Sequence, residues 1–132
     1  MEKYLYFRTE ATDADDDASG DSACWPASSL MGMQPTSDTT LTLYFKSIVR
    51  GTPSGNEPDA DGSFDNNDTV EVRLSSANTH LTAISAITTA IIGKNFPPLI
   101  IVANDDSGGT EYLAGSGINA CMGISVSGAY AN

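Results

Sequence analysis

The acidic segment between residues 57 and 68 has the spacing of residues that bind a metal ion. Carboxylates occupy the first, third, fifth, ninth and twelfth places of a twelve-residue stretch with glycine in sixth place: Glu57, Asp59, Asp61, Asp65 and Asp68. An EF-hand-type loop holds Ca²⁺ with oxygen ligands at these places, and its glycine permits the sharp turn. Glu in first place, Asp in last place and the lack of flanking helix patterns depart from that motif. The segment predicts a Ca²⁺ loop, with a plain solvated loop as the alternative.

Other chemistry has few candidate residues. His80 is the sole imidazole, and at the start of a predicted helix it is expected at the surface or as a cap. The sequence has no G-x-S-x-G nucleophile elbow, and Gly108-Gly109 lacks the lysine of a phosphate-binding loop. Cys24 and Cys121 lie far apart without CxxC spacing, which predicts two buried free thiols, a disulfide being the alternative. The inventory predicts a protein that is not an enzyme.

The charge balance excludes several classes of partner. Six Lys and Arg stand against seventeen Asp and Glu in 132 residues, for a net charge of −11. Such a surface repels phosphate backbones and anionic lipid, so we expect no nucleic-acid or membrane partner. Residues Met1–Phe7 lack a basic segment followed by an apolar one, and the apolar stretches are shorter than a membrane span needs. We therefore expect a product made in the cytoplasm without a signal peptide.

The elements that must position these residues are short strands and one helix. Period-2 alternation or apolar runs predict six strands, at Tyr4–Arg8, Leu41–Val49, Val70–Leu74, Leu99–Ala103, Thr110–Leu113 and Cys121–Val126. Between the third and fourth strands a helix is expected to end at Gly93 and to be capped by Ser76 or Asn78. Its apolar face is predicted to be Leu81, Ile84, Ile87, Thr88 and Ile91. A parallel crossover is one arrangement of this strand–helix–strand unit, and the sequence leaves the direction open.

The remaining segments predict loops. Acidic loops are expected at about 11–23 and 51–68, and a turn-rich connector from Cys24 to Pro35, pinned to the core by Trp25. The length fits one domain, residues 1–132. The predicted fold class is α+β, a mixed, mostly antiparallel β-sheet of about six strands with one helix packed on one face.

Three segments resemble small structural proteins of marine bacteriophages, in particular those that infect cyanobacteria. The resemblance is carried by Tyr4–Asp13, by Ser29-Leu30-Met31-Gly32-Met33 and by Ile118–Val126. It implies a non-enzymatic subunit of the virion, placed on the capsid in many copies as a decoration or cement protein. The partners so implied are the major capsid protein or other virion subunits, with a homo-oligomer expected.

Under that hypothesis the contacts are expected from aromatic anchors and strand edges. The predicted partner-binding residues are Tyr4, Tyr6, Arg8, Tyr44, Tyr130 and Asn132. A tail- or connector-associated virion protein and an acidic Ca²⁺-responsive binding module are the alternatives. Binding of carbohydrate or a host surface is a third option, which depends on Trp25 being exposed.

Overall fold

A computed structural model describes residues 2–18, 20–46 and 67–126. These contain one α-helix, α1 (His80–Ile92), two single-turn 3-10 helices (Asp13–Asp15 and Ala27–Ser29) and eight strands. The strands are β1 (Tyr4–Arg8), β2 (Ser22–Pro26), β3 (Leu30–Ser37), β4 (Thr40–Lys46), β5 (Asn67–Leu74), β6 (Leu99–Asn104), β7 (Glu111–Tyr112) and β8 (Ile118–Ser125). The predicted α+β class is confirmed, with eight strands where about six were predicted.

The strands form two four-stranded sheets rather than one. Sheet A has the order β2-β1-β6-β7 and sheet B the order β3-β4-β5-β8. Within these sheets β1 and β6 run parallel, and the other neighbouring strands are antiparallel. The two strands that the sequence did not predict, β2 and β3, lie where a turn-rich connector was expected. Pro35 is tolerated there because β3 is an edge strand, where one missing backbone donor costs no ladder hydrogen bond.

The core lies between the two sheets and is centred on three aromatic rings. Trp25 of β2 stacks on Phe45 of β4 with ring centroids 4.5 Å apart and planes 6° apart. Phe7 of β1 meets both rings edge-on at 5.8 and 5.9 Å. The expectation that Trp25 anchors its segment is confirmed, since only 1% of the residue is exposed. Carbohydrate binding through an exposed Trp25 therefore loses its support.

The helix carries the chain from sheet B to sheet A. It follows β5 and precedes β6, which belong to different sheets, so the unit is not a parallel crossover within one sheet. Gly93 ends the helix as predicted, and Lys3 donates hydrogen bonds to the carbonyls of Ala90 and Gly93 at that end. A cation at the last carbonyls stabilises a helix terminus. At the other end Thr79 occupies the N-cap position, not Ser76 or Asn78.

The buried face of α1 differs from the predicted one. Ala83, Ile87 and Ala90 are buried, whereas Leu81 is 76% exposed and Thr88 is also exposed. Of the predicted face only Ile87 is fully buried, with Ile84 and Ile91 half-buried. Alanines at the contact let the helix lie close to the core, and this rotates the larger side chains of Leu81 and Ile92 toward solvent.

Candidate functional site

Three acidic side chains converge on one cation, Arg8. Its Nη2 lies 2.8 Å from Asp13 Oδ1, and its Nη1 lies 3.3 Å from Asp16 Oδ2 and 3.8 Å from Asp106 Oδ2. The Nε donates to the Glu10 carbonyl at 2.6 Å, and the Arg8 side chain is 9% exposed. The hydrogen bond to Asp13 is the main cause that raises the pKa of Arg8 above its ordinary value. A guanidinium that stays charged cannot act as an acid or base, so this cluster ties two loops to β1.

A second polar cluster lies where β6, β7 and β8 meet. The Asp105 carboxylate accepts a hydrogen bond from the Tyr112 hydroxyl, and its Oδ2 accepts one from the Cys121 amide at 3.0 Å. Burial, followed by Asp105, raises the pKa of Tyr112 to about 12, and the same two causes raise the pKa of Cys121 to about 12. Both groups are therefore protonated at neutral pH. A protonated thiol is a poor nucleophile, and the two hydrogen bonds to Asp105 join a strand of sheet A to a strand of sheet B.

These pKa values predict a loss of stability in alkali. The ordinary pKa is 9.0 for Cys121 and 10.0 for Tyr112, against about 12 for each in the folded chain. Between pH 9 and 12 the folded state then holds more protons than the unfolded state, so the stabilisation is complete below pH 9 and is lost as pH rises toward 12. Cys121 alone should contribute a slope of about 1.4 kcal/mol per pH unit in urea unfolding.

Two variants check the origin of that slope. Cys121→Ala should unfold more easily at neutral pH but lose less stability per unit of pH, because the buried thiol is gone. Cys24 is exposed, contrary to the prediction of two buried thiols, although partial burial also raises the pKa of its thiol. Cys24→Ala is the matched control and should reduce the slope less than Cys121→Ala does. An alkaline slope that is identical in wild type and Cys121→Ala would contradict the assignment.

The predicted calcium ligands divide between two parts of the chain. Glu57, Asp59, Asp61 and Asp65 lie outside the described residues. Asp68 lies in β5 and is fully buried, and its Oδ2 accepts a hydrogen bond from Trp25 Nε1 at 2.9 Å. The Ca²⁺ loop thus stays a prediction. Among residues 2–18, 20–46 and 67–126, no group of three or more His, Cys, Asp or Glu is placed to hold a metal ion.

The predicted partner-binding residues occupy different surfaces. Tyr4 is 43% exposed and Tyr6 is half-buried, both on β1, whereas Arg8 is held by the ion pairs described above. Tyr44 lies on β4 of the other sheet, and its hydroxyl donates to Gln34 Oε1 at 3.1 Å. Tyr130 and Asn132 lie outside the described residues.

His80 is at the helix start, as expected. Its Nε2 lies 2.8 Å from the Ser37 carbonyl oxygen and 3.0 Å from the Thr40 carbonyl oxygen, so the side chain does not cap α1.

Sequence reasoning missed the exposed apolar side chains near Tyr4. Leu99 is 47% exposed and pairs with Tyr4 across β1 and β6, and Phe96 precedes it at 37% exposure. A Cβ at Gly93 would lie 2.8 Å from both the Thr89 carbonyl oxygen and the Phe96 ring, so this glycine allows the ring to pack against the helix end. The sequence feature that could have predicted this surface is the run Phe96-Pro97-Pro98-Leu99, which carries apolar side chains and no charge.

Comparison with protein-family models, with curated proteins and with solved structures finds no match to this chain. Of the helices in the described ranges, none combines the length and the apolar character needed to cross a bilayer.

Proposed function

We propose that this chain is a non-enzymatic structural subunit of a bacteriophage particle, a capsid decoration or cement protein that binds the major capsid shell. The resemblance of Tyr4–Asp13 and Ile118–Val126 to phage structural proteins supports the virion assignment. The two polar clusters support a structural role, because their hydrogen bonds and ion pairs join separate segments of the chain, and Arg8, Tyr112 and Cys121 keep their protons at neutral pH. The observation that carries the proposal is an apolar row on the outer face of sheet A.

The outer row consists of Tyr4, Tyr6, Leu99 and Ile101. Tyr4 pairs with Leu99 and Tyr6 with Ile101 across the parallel strands β1 and β6, so the four side chains lie on one face. Leu5 and Ile100 point the other way and are buried in the core. Since β1 is flanked by β2 and β6, the row is held on a rigid sheet. Exposed aromatic and aliphatic side chains grouped on a rigid face are the usual anchors of protein interfaces.

Charge explains why the contact belongs on this row. The loop after β1 carries Asp13, Asp15, Asp16 and Asp17, and a chain of net charge −11 repels its copies when many share one shell. An uncharged contact avoids that repulsion, and cations in the medium screen what remains. The acidic segment from Glu57 to Asp68 fits this picture as a place where Ca²⁺ could act on assembly.

The proposal is tested on particles of the phage whose genome encodes the chain. Mass spectrometry of purified particles should find the protein in a copy number that is comparable with that of the major capsid protein. A few copies per particle would instead support the tail or connector alternative, and absence from particles would contradict the proposal.

A binding experiment then tests the outer row. Leu99→Ser and Tyr4→Ser should each weaken co-sedimentation with shells that lack the protein by about tenfold, because each removes an apolar anchor. Met31→Ser is the matched control, since Met31 is 49% exposed on β3 of the other sheet. Equal binding by wild type, Leu99→Ser and Tyr4→Ser would show that the shell contact lies elsewhere.

A further inference from the structure

The edge of sheet A beside β6 is only partly covered. The short strand β7 pairs with the last two residues of β6, and the Leu113 amide then donates to the Val102 carbonyl at 3.1 Å. Beyond that point the chain turns away, because the Leu113 carbonyl accepts from the Ser116 amide. None of the described strands pairs with residues 99–101 on the side away from β1. These residues form an open notch in the edge of the sheet.

The backbone groups that face the notch are those of Leu99 and Ile101. The Tyr4 amide donates to the Pro98 carbonyl at 2.8 Å, so Pro98 faces β1. Successive residues of a strand direct their N–H and C=O groups to opposite sides, so Ile100 also faces β1 and its two neighbours face away from it. The notch therefore presents alternating backbone donors and acceptors, which is the pattern that an extended chain pairs with.

The side chains around the notch are mostly apolar. The groove along this edge is lined in part by Phe96, Pro97, Ile101 and Leu113. Of the described residues that line it, only Glu111 on β7 is charged. A strand that enters the groove meets apolar side chains along its length and a carboxylate at the β7 end. This favours a strand that is extended and carries no acidic residue.

The other edges of the two sheets carry features that hinder pairing. β2 ends in Pro26 and β3 contains Pro35, and proline has no amide to donate. The pairing of β8 with β5 is interrupted by two register shifts, and β7 is only two residues long. Residues 99–101 include no proline and no charge, and the register shift between β1 and β6 falls beyond Ile101. An edge without such protection is suited to binding another strand.

The length of the notch selects the occupant. A second copy of β6 is six residues long and would run into Leu113, which already lies beside Val102. A short arm that ends or turns at Leu113 fits instead. Leu99 and Ile101 also belong to the outer row, which the proposed function assigns to the shell. We propose that an extended, uncharged arm of the shell subunit adds to sheet A in this notch and pairs with the backbone of Leu99 and Ile101.

The inference rests on the proposed function and specifies how the shell partner meets the outer row. Hydrogen bonds to the backbone hold the arm, and its alternate side chains lie beside Leu99 and Ile101 on the outer face. Tyr4 and Tyr6 then flank the contact from β1, one strand further into the sheet. The outer row and the notch are therefore parts of one surface.

Amide hydrogen exchange on the purified chain and on its complex with shells tests the pairing residue by residue. In the free chain the amides of Leu99 and Ile101 should exchange quickly, whereas the Ile100 amide faces β1 and should exchange slowly. On shells that lack the protein, exchange at Leu99 and Ile101 should slow at least about tenfold, and Ile100 should stay slow. Slow exchange at Leu99 and Ile101 in the purified chain alone would overturn the proposal, because the notch would then be closed without the shell.

Two substitutions of Ile101 form a matched pair. Ile101→Pro removes the N–H that faces the notch without removing a hydrogen bond to β1, whereas Ile101→Thr keeps the N–H and the branched side chain. Ile101→Pro should bind shells in co-sedimentation at least about tenfold more weakly than Ile101→Thr. Urea denaturation checks that both variants are folded. Equal binding by the two folded variants would contradict backbone pairing, and if Ile101→Pro does not fold, the exchange of the wild type decides.

The outcomes separate this inference from the proposed function. A chain that binds shells without protection of Leu99 and Ile101 refutes the added strand and leaves the virion role intact. A chain that does not bind shells at all refutes the proposed function, and the shell arm with it. Protection on shells together with weak binding by Ile101→Pro supports both.

Discussion

Trp25→Ala should lower the free energy of unfolding by about 4 kcal/mol, as measured by urea denaturation. Trp25 is 1% exposed and stacks on Phe45, so alanine leaves a large cavity between the two sheets. It also removes the indole donor from the buried side chain of Asp68, and the loss of a buried hydrogen bond is costly. The cavity and the lost hydrogen bond lie at the same place, and both lower the free energy of unfolding.

Two variants separate the contribution of ring packing from that of the hydrogen bond. Trp25→Phe keeps a ring against Phe45 but loses the N–H, so it should cost about 2 kcal/mol. Tyr4→Ala is the surface control, because Tyr4 lies on the neighbouring strand at 43% exposure, and it should change stability by about 0.5 kcal/mol or less. A Trp25→Ala protein as stable as Tyr4→Ala would contradict the central place of this ring in the core.

Asp105→Ala is expected to cost about 3 kcal/mol of unfolding free energy. Its carboxylate is the acceptor for both the Tyr112 hydroxyl and the Cys121 amide, which come from β7 and β8. The side chain therefore links strands of sheet A and sheet B, and alanine leaves two donors without their acceptor. The near-ultraviolet signal of Tyr112 should change in the same variant, because its hydroxyl loses its partner.

The neighbouring aspartate supplies the control. Asp106 is a more distant member of the Arg8 cluster, 3.8 Å from Nη1, and its side chain is 26% exposed. Partly exposed ion pairs contribute little, so Asp106→Ala should cost less than about 1 kcal/mol. The loss of unfolding free energy in Asp105→Asn should lie between the losses in Asp105→Ala and Asp106→Ala, since an amide oxygen still accepts one hydrogen bond. Equal losses from Asp105→Ala and Asp106→Ala would show that the link between the sheets is not what stabilises the fold.

The regular strands were predictable because their side chains alternate. Leu41, Leu43 and Phe45 are fully buried, as are Val70 and Val72. β4 begins one residue before its predicted start and β5 begins three residues before it. The segment from Cys24 to Pro35 was predicted as a connector because glycine and proline interrupt its pattern. Edge strands tolerate such residues, and the partner that orders β2 is β1, which local sequence does not reveal.

The candidate surfaces were only partly predictable. Tyr4 was identified from its residue type, but Leu99 joins it only because β6 pairs in parallel with β1. The helix face was predicted from large apolar residues, whereas close packing selected the alanines at 83 and 90 and left Leu81 in solvent. Arg8 was expected at an interface, and its three acidic neighbours include Asp106 from a loop far along the sequence. Such juxtapositions depend on tertiary pairing rather than on local pattern.

The parallel pairing of β1 with β6 has a consequence for synthesis. Tyr4 emerges from the ribosome before its partner Leu99, which follows only after both β5 and α1. Until then β1 has one open edge, and the apolar side chains of Leu5 and Phe7 lack the strand that completes their sheet. Folding through such distant contacts is slow, and unpaired strands promote aggregation. The nascent chain should therefore depend on chaperones until β6 has left the exit tunnel.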